Sequence, residues 1–199
     1  MNLIFHDLIG VIMEVYIDDI VIKSAAHKSH LADWHLAFEG MRRYGLKMNP
    51  FKCAFGESAG KFLCFIIHDK GIEVDPKRIK KIKKVQAPTC KKDLQKFLGK
   101  VNYLRRFIAN LFGKIIPFNP ILKLKDESEF TWGAKQQEAF KKIKEYLSTS
   151  PVLCAPRRGV PFKLYIAAEE KVIGAILTQE DEGKEYVIAY LGRGDFRHT

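Results

Sequence analysis

The sequence predicts an α+β protein in which short β-hairpins alternate with amphipathic helices. Two runs rich in Val, Ile and Tyr, Met13–Ile17 and Ile20–Lys23, flank a pair of aspartates, as in a tight hairpin. Apolar residues recur at spacings of three and four in three later segments, which is the period of a helix with one buried face. With 199 residues and 47% hydrophobic content, the chain can form one large domain or two small ones.

The N-terminal third begins with this hairpin, in which Asp18 and Asp19 are predicted to connect the two strands. A helix should follow, because apolar side chains repeat at helical spacing and Gly45 stands where a helix C-cap is expected. Its apolar residues are Leu31, Trp34, Phe38 and Met41. Three short strands are then predicted, at Lys52–Phe55, Phe62–His68 and Ile72–Val74.

Two basic helices are predicted next. Asp75 and Pro76 should open the first, as N-cap and first helical residue, and Ala87-Pro88 should end it. Thr89 should cap the second, whose apolar face consists of Leu94, Phe97, Leu98, Val101, Leu104 and Ile108.

The remainder of the chain should contain a linker, a helix and a β-meander. The stretch from Gly113 to Pro120 is predicted to be the linker because proline and glycine punctuate it. A helix is expected over residues 134–147. Three strands are expected at Phe162–Ala167, Gly174–Gln179 and Glu185–Leu191, with a turn at residues 180–183.

The composition favours a polyanionic partner. The chain carries 34 Lys and Arg against 23 Asp and Glu, a net charge of +11, which fits nucleic acid and also fits an ordinary basic protein. Its four cysteines lack zinc-ligand spacing, which favours free thiols in a reducing compartment. No apolar run reaches the roughly 18 residues of a membrane span, and no signal peptide is visible. We therefore expect no membrane contact and a cytoplasmic or nuclear protein that is not secreted.

Asp18 and Asp19 are the residues best suited to chemistry. Two carboxylates held this close repel each other, and a divalent cation relieves the repulsion. Mg²⁺ suits such oxygen ligands, and it usually keeps water and substrate phosphate as its other ligands. Phosphoryl transfer by two metal ions needs at least one further carboxylate from a neighbouring strand. Taken alone, however, an Asp-Asp pair is also what an ordinary polar turn contains.

Several motifs in one order resemble the reverse transcriptases of Ty3/Gypsy-type retrotransposons. Tyr16-Ile17-Asp18-Asp19 looks like the Y-x-D-D box of that family, and the run from Phe5 to Ser24 resembles its palm. Lys61–Phe65 resembles the primer grip, a β-ribbon that supports the 3′ end of the primer. The other matching segments are Tyr44–Cys53, Gly71–Pro76, Phe97–Ile108, Phe130–Trp132, Ala139-Phe140 and Pro151–Leu153. Together they cover nearly the whole chain.

The resemblance implies a partial reverse-transcriptase palm, a helical thumb and a truncated ribonuclease H-like α/β domain. The implied divisions are a palm with the catalytic hairpin and primer-grip-like ribbon at 1–76, a thumb-like region at 77–112, a connection at 113–160 and a ribonuclease H-like domain at 161–199. The implied reaction is RNA-directed DNA synthesis. Asp18 and Asp19 would be catalytic and would bind Mg²⁺.

The resemblance also implies contacts with an RNA or DNA template–primer. Tyr16 would lie near the template–primer, and residues 62–65 would support the primer end. Lys and Arg on the two basic helices would contact phosphates, although a charge run on a helix is often only a solvated surface. The implied nucleic-acid-binding residues are Tyr16, Phe62, Leu63, Cys64, Phe65, Lys80, Lys84, Lys100, Arg105 and Arg106. The oligomeric state is not indicated.

Three departures from the family pattern limit the expected activity. In the family, the first catalytic aspartate and the fingers lie upstream of the residues that this sequence contains, so we expect no polymerase activity from this chain alone. Cys64 stands where the family usually has glycine, and its effect on the primer grip is left open. Ala167 stands where the first ribonuclease H strand normally has a metal-binding aspartate, so we expect no nuclease activity. The nearby acids, Glu169, Glu170 and Asp181, are more typical of turns than of a metal site.

Two other interpretations of the sequence remain open. The chain could be a non-catalytic nucleic-acid-binding relic that relies on its basic helices. It could also be a decayed gene product without a stable fold.

Overall fold

The computed structural model describes residues 3–24, 29–149, 151–169 and 172–194. The chain divides into two compact units, residues 1–63 and residues 64–199. Each unit has its own cluster of buried apolar side chains. The finer division at residues 76, 112 and 160 remains a prediction.

The first unit contains a hairpin, a helix and a short strand. β1 (Met13–Tyr16) and β2 (Asp19–Ile22) pair antiparallel. They are followed by α1 (His30–Arg43), a 3₁₀ turn (Pro50–Lys52) and β3 (Ala59–Phe62). The predicted helix is confirmed, and Gly45 after it has a φ of +65°.

The strand predicted at Lys52–Phe55 is wrong. Its first residue ends the 3₁₀ turn, and residues 53–55 belong to no strand. The side chain of Asn49 accepts a hydrogen bond from the Phe51 N–H at 3.1 Å and thereby caps the turn. Asn and Pro at the start of a turn therefore outweighed the β-prone residues that follow.

The core of the first unit joins the hairpin to α1. Phe5, Met13, Ala37 and Met41 are buried together. A Cβ on Gly40 would lie only 2.9 Å from Cε1 of Phe5, so the ring rests directly on the helix backbone. The absence of a side chain at this position lets α1 approach the segment that leads into the hairpin.

The second unit begins with a hairpin and two basic helices. β4 (Phe65–His68) and β5 (Gly71–Val74) pair antiparallel. α2 (Pro76–Lys83) starts as predicted, because the Asp75 side chain accepts from the Lys77 N–H at 2.8 Å and proline follows it.

The second basic helix, α3 (Lys91–Asn102), differs from its prediction at both ends. Its N-cap residue is Cys90 rather than Thr89, whose hydroxyl donates to Asp93 at 3.2 Å. The helix stops before Leu104, and a 3₁₀ turn (Arg105–Phe107) follows. Leu104 and Ile108 are nevertheless buried, as their place in the predicted apolar face required.

The predicted linker from Gly113 to Pro120 is wrong. The segment lies across α4 (Leu111–Ile115), a 3₁₀ turn (Ile116–Phe118) and α5 (Asn119–Lys123), and Phe118 and Ile121 are buried in the core. Both prolines stand in the first turn of a short helix, where a missing N–H has no cost. They mark helix starts and not a linker.

The C-terminal part of the second unit contains a helix and a meander. After a 3₁₀ turn (Glu127–Glu129), α6 (Ala134–Ser148) precedes β6 (Phe162–Ala168), β7 (Val172–Asp181) and β8 (Lys184–Gly194). The strands pair antiparallel in sequence order, so the predicted helix and meander are confirmed, with longer strands. Glu182 and Gly183 both have positive φ, as a two-residue hairpin turn requires.

A short extended segment joins the two β-regions of the second unit. Leu153 exchanges two backbone hydrogen bonds with Ile72 of β5, at 2.8 and 2.9 Å. The Cys154 N–H donates to the Val187 carbonyl of β8 at 2.8 Å. Gly71 makes this approach possible, because a Cβ there would lie 2.0 Å from the Leu153 oxygen.

The core of the second unit is formed by side chains of α2, α3, α4, α5 and α6 and of the 3₁₀ turns between them. Its fully buried side chains include Leu94, Phe97, Phe107, Phe118 and Ile143. Within the described residues, no helix has the length and apolarity needed to cross a membrane.

Candidate active-site hairpin and nucleic-acid interface

The two aspartates do not form the hairpin turn together, which corrects the predicted connection. Tyr16 pairs with Asp19 and Val15 pairs with Ile20, so the two-residue turn consists of Ile17 and Asp18. Asp18 therefore lies in the turn, while Asp19 is the first residue of β2. Both aspartates are exposed, which leaves their carboxylates open to a ligand.

The backbone at Ile17 is strained. Its φ is +53°, in the left-handed region that β-branched residues rarely adopt. Such a conformation costs roughly 1–2 kcal/mol. The side chain is 69% exposed, so its own burial does not offset the strain. Strained residues of this kind cluster at functional sites, where the surrounding structure holds them in place.

The hairpin base is anchored while its tip is exposed. Met13 is fully buried, and Val15, Ile20 and Ile22 pack against the core around Phe5. By contrast, Tyr16 at the tip is 53% exposed. The two exposed carboxylates are therefore positioned by strands whose apolar side chains pack in the core.

The donor set at the tip fits a divalent cation only in part. Asp18 and Asp19 supply the hard oxygen ligands that Mg²⁺ prefers. Over the ranges that the structure describes, no group of three or more His, Cys, Asp or Glu side chains could hold a metal ion. The remaining ligands would have to be water, substrate phosphates or groups outside these residues.

The primer-grip-like turn also has an unusual backbone. Leu63 and Cys64, between β3 and β4, have φ values of +51° and +63°. Glycine adopts this conformation without steric cost, whereas other residues are strained in it. A glycine at position 64 would adopt this backbone without strain, whereas Cys64, which is exposed, does not. Of the neighbouring residues, Phe62 ends β3 and Phe65 begins β4.

The five predicted phosphate-contacting cations are all exposed. They are Lys80, Lys84, Lys100, Arg105 and Arg106. On α2 and its C-cap, lysines at 77, 80, 81 and 84 follow the i, i+3, i+4, i+7 spacing of one helix face. We call these four residues the lysine stripe. Among the described residues, none of the four forms an ion pair with a carboxylate.

Three other lysines serve the fold, a distinction that sequence reasoning missed. The Lys114 and Lys144 ammonium groups donate to the carbonyls of Ala109 and Val85, both at 2.7 Å. Lys91 donates to a carbonyl in the same way. Burial lowers the pKa of Lys114 and of Lys144. The partners of these two lysines lie five and 59 positions away, and nothing in the local sequence marks them.

The strand that resembles the first strand of ribonuclease H, β6, has alanine at the position where that fold normally has a metal-binding aspartate. Ala167 lies in β6 opposite Gly174. Glu169 follows β6, where its N–H donates to the Val172 carbonyl at 2.8 Å. Asp181 ends β7 and forms an ion pair with Arg157. Glu170 lies outside the described residues.

Two family profiles match separate parts of the chain. Residues 1–67 match "Reverse transcriptase (RNA-dependent DNA polymerase)", and residues 132–194 match "RNase H-like domain found in reverse transcriptase". The first range contains the aspartate hairpin, and the second contains α6 and the meander.

Curated relatives are polyproteins of transposons. The chain is 31% identical to the retrovirus-related Pol polyprotein from transposon opus of Drosophila melanogaster, over 96% of this chain and 20% of the relative. It is 32% identical to the transposon Tf2-3 polyprotein of Schizosaccharomyces pombe, over 88% of this chain and 13% of the relative. The chain therefore spans a fifth or less of the length of these relatives.

Solved structures share the fold. The foamy viral protease-reverse transcriptase dRH in complex with double-stranded DNA has a TM-score of 0.84 at 22% identity, over 97% of this chain and 33% of that one. The foamy viral protease-reverse transcriptase in complex with RNA/DNA hybrid has a TM-score of 0.80 at 22% identity, over 97% and 26%.

The aspartate hairpin, the two matching profiles and the transposon relatives agree with one another. The chain belongs to the reverse transcriptase family and corresponds to a segment of a retrotransposon polyprotein.

Proposed function

We propose that this segment supplies the catalytic hairpin, the primer support and the phosphate-binding helices of an RNA-directed DNA polymerase from a Ty3/Gypsy-type retrotransposon. The observation that carries the proposal is the anchored hairpin, with adjacent carboxylates exposed at a strained tip. The expectation that the chain is inactive alone, and the absence of nuclease activity, remain predictions.

Asp18 and Asp19 are the proposed catalytic residues. Reverse transcriptases as a family use divalent metal, and in this chain these two carboxylates would hold Mg²⁺. A bound cation would neutralise charge on the nucleotide phosphates and polarise the reacting oxygens. The hairpin positions these two carboxylates, because its strands are paired and Met13 is buried in the core.

The proposed nucleic-acid contacts come from three places. Tyr16 lies beside the carboxylates and would contact the template–primer. Residues 62–65 would support the primer end. The lysine stripe, with Lys100, Arg105 and Arg106, would hold phosphates through contacts that depend on salt but not on base sequence. The related structures hold double-stranded DNA and an RNA/DNA hybrid, which supports the same ligand class here.

Terbium luminescence on the full chain tests the metal site. Tb³⁺ is a hard cation that takes oxygen ligands, and Tyr16, paired with Asp19, would sensitise its emission. We expect the terbium emission to saturate, and we expect Mg²⁺ to displace the bound Tb³⁺. The affinity for Tb³⁺ should be weaker by at least about tenfold in Asp18→Asn and in Asp19→Asn. A Tyr16→Phe variant should bind the ion with less emission.

Asp69→Asn is the matched control, since Asp69 is an exposed acid in the turn between β4 and β5. Its emission should match that of the unsubstituted chain. If Asp18→Asn and Asp69→Asn behaved alike, terbium would be binding nonspecifically, and the proposed metal site would be wrong.

A non-catalytic nucleic-acid-binding protein is the second candidate. The lysine stripe favours it, because four exposed cations that have no carboxylate partner among the described residues lie on one helix face. Tight, salt-dependent binding of a hybrid duplex without terbium binding at the hairpin would select this candidate over the polymerase.

A further inference from the structure

Four side chains of the second unit form a continuous stack. The Cζ atom of Arg78 lies 4.2 Å from the centroid of the Tyr103 ring. The Tyr103 ring stacks on Phe65 with centroids 5.4 Å apart and planes 3° apart. Phe65 in turn stacks on Phe107 at 5.4 Å and 24°. The stack therefore joins α2, the C-cap of α3 and the following 3₁₀ turn to the first residue of β4.

The stack has a fixed end and an accessible end. Phe107 is fully buried, so it anchors Phe65 from the core side. Tyr103 is 43% exposed, and its removal would leave one face of the Phe65 ring without this stacked partner. Among the described residues, no acceptor forms a hydrogen bond with the buried Nε atom of Arg78. The electron-rich face of Tyr103 lies against this guanidinium and attracts its positive charge.

A backbone hydrogen bond connects the turn before β4 to the start of α2. The Asp75 N–H donates to the Cys64 carbonyl at 3.3 Å. Asp75 is also the N-cap of α2, on which Arg78 lies in the first turn. Cys64 is thus held by the start of α2, and its neighbour Phe65 is held by the stack.

We propose that Tyr103, held by Arg78, is a positioning residue that acts through Phe65 to keep the turn at Cys64 in place. The inference rests on the proposed function, in which this turn supports the primer end. The left-handed backbone at Cys64 adds a reason for such support, because a strained non-glycine residue persists only when its surroundings hold it.

A nitroxide spin label on Cys64 tests the positioning directly in the free full chain. The other three cysteines are changed to serine, so that the label reports this turn alone. Tyr103→Leu should increase the mobile fraction of the label by about tenfold, because a stacked aromatic pair and a cation–π contact are lost. Tyr103→Phe keeps the ring and should leave the label unchanged. Arg78→Leu should give an intermediate increase.

Phe130→Leu is the matched control, because Phe130 stacks on Trp132 elsewhere in the same unit, at 6.4 Å. It should lower overall stability without mobilising the label. Equal label mobility in Tyr103→Leu and the unsubstituted chain would overturn the inference, as would an equal increase in Phe130→Leu.

A second readout connects the turn to the primer. With 2-aminopurine at the primer 3′ end of an RNA/DNA hybrid, Tyr103→Leu should abolish the fluorescence change on binding and leave the salt dependence of affinity unaltered. If the unsubstituted chain bound no hybrid, the proposed function would fail, while the spin label would still decide the positioning role. If Tyr103→Leu bound the hybrid with an unaltered primer-end signal, the role in primer placement would be wrong.

Discussion

Ile17 and Cys64 both adopt left-handed backbone conformations that are costly for non-glycine residues. Each lies in a two-residue connection between strands, and each adjoins residues proposed to act in synthesis. Neither strain is visible in composition or periodicity. The family resemblance identifies Cys64 as an unusual residue, whereas only its backbone angle shows the strain there.

Substituting Cys64→Gly tests the strain at the second turn. Glycine relieves a cost of about 1–2 kcal/mol but adds entropy to the unfolded chain, so we expect a net gain of about 0.5–1 kcal/mol in unfolding free energy. Urea denaturation measures it. Cys53→Gly is the control, because Cys53 has a φ of −92° and should lose stability instead. Destabilisation by both changes would contradict the strain at Cys64.

Gly71 permits the contact between β5 and the segment at Leu153. Alanine there would bring a Cβ to 2.0 Å from the Leu153 oxygen, at a φ of +136°. We expect Gly71→Ala to lower the unfolding free energy by at least about 2 kcal/mol, measured by urea denaturation. A Cβ at Gly99 in α3 would meet no atom of the described residues within 4 Å, so Gly99→Ala should be neutral or stabilising by up to about 1 kcal/mol. An effect equal to that of Gly99→Ala would disprove the tight approach.

Among the elements, those with strong local signals were predicted well. α2 has an Asp-Pro start, and α1 and α6 have long apolar periodicity, so local sequence sufficed. Errors arose where one signal had two meanings. Pro117 and Pro120 open short helices in the core, whereas proline in a polar stretch more often marks a loop. In the aspartate hairpin, the turn contains an apolar residue, Ile17, whereas apolar residues favour strands. The sequence therefore predicts the connection one residue too late.

The lysine stripe of α2 should account for part of the salt dependence of nucleic-acid binding. Each phosphate contact contributes about −0.9 to the slope of log affinity against log salt concentration for duplex DNA. Lys80→Gln with Lys84→Gln should therefore reduce the magnitude of that slope by about 2, measured by fluorescence anisotropy. Lys135→Gln with Lys141→Gln removes the same charge from exposed positions of α6. An equal loss of slope in both double variants would mean that net charge, not the stripe, governs binding.

For the whole molecule, fold class and family were predictable because motifs in a fixed order cover most of the chain. The assembly of the second unit was not, because its key contacts join distant residues. Leu153 bridges to Ile72, and Tyr103 stacks on Phe65 across the chain. The lysines that contribute to the net charge of +11 also have two different roles, which the sequence does not distinguish. Some lysines are exposed and open to phosphate, while Lys114 and Lys144 bind backbone carbonyls of their own chain.

We propose that Asp18 and Asp19 catalyse RNA-directed DNA synthesis. Primer extension tests it most directly, in a chimera in which this chain replaces the homologous segment of the transposon opus polyprotein, to which it is 31% identical. We predict Mg²⁺-dependent extension of a primer on an RNA template. Asp18→Asn and Asp19→Asn should each abolish extension, while Asp69→Asn retains it. Extension that continued undiminished in both hairpin variants would show that these aspartates are not catalytic.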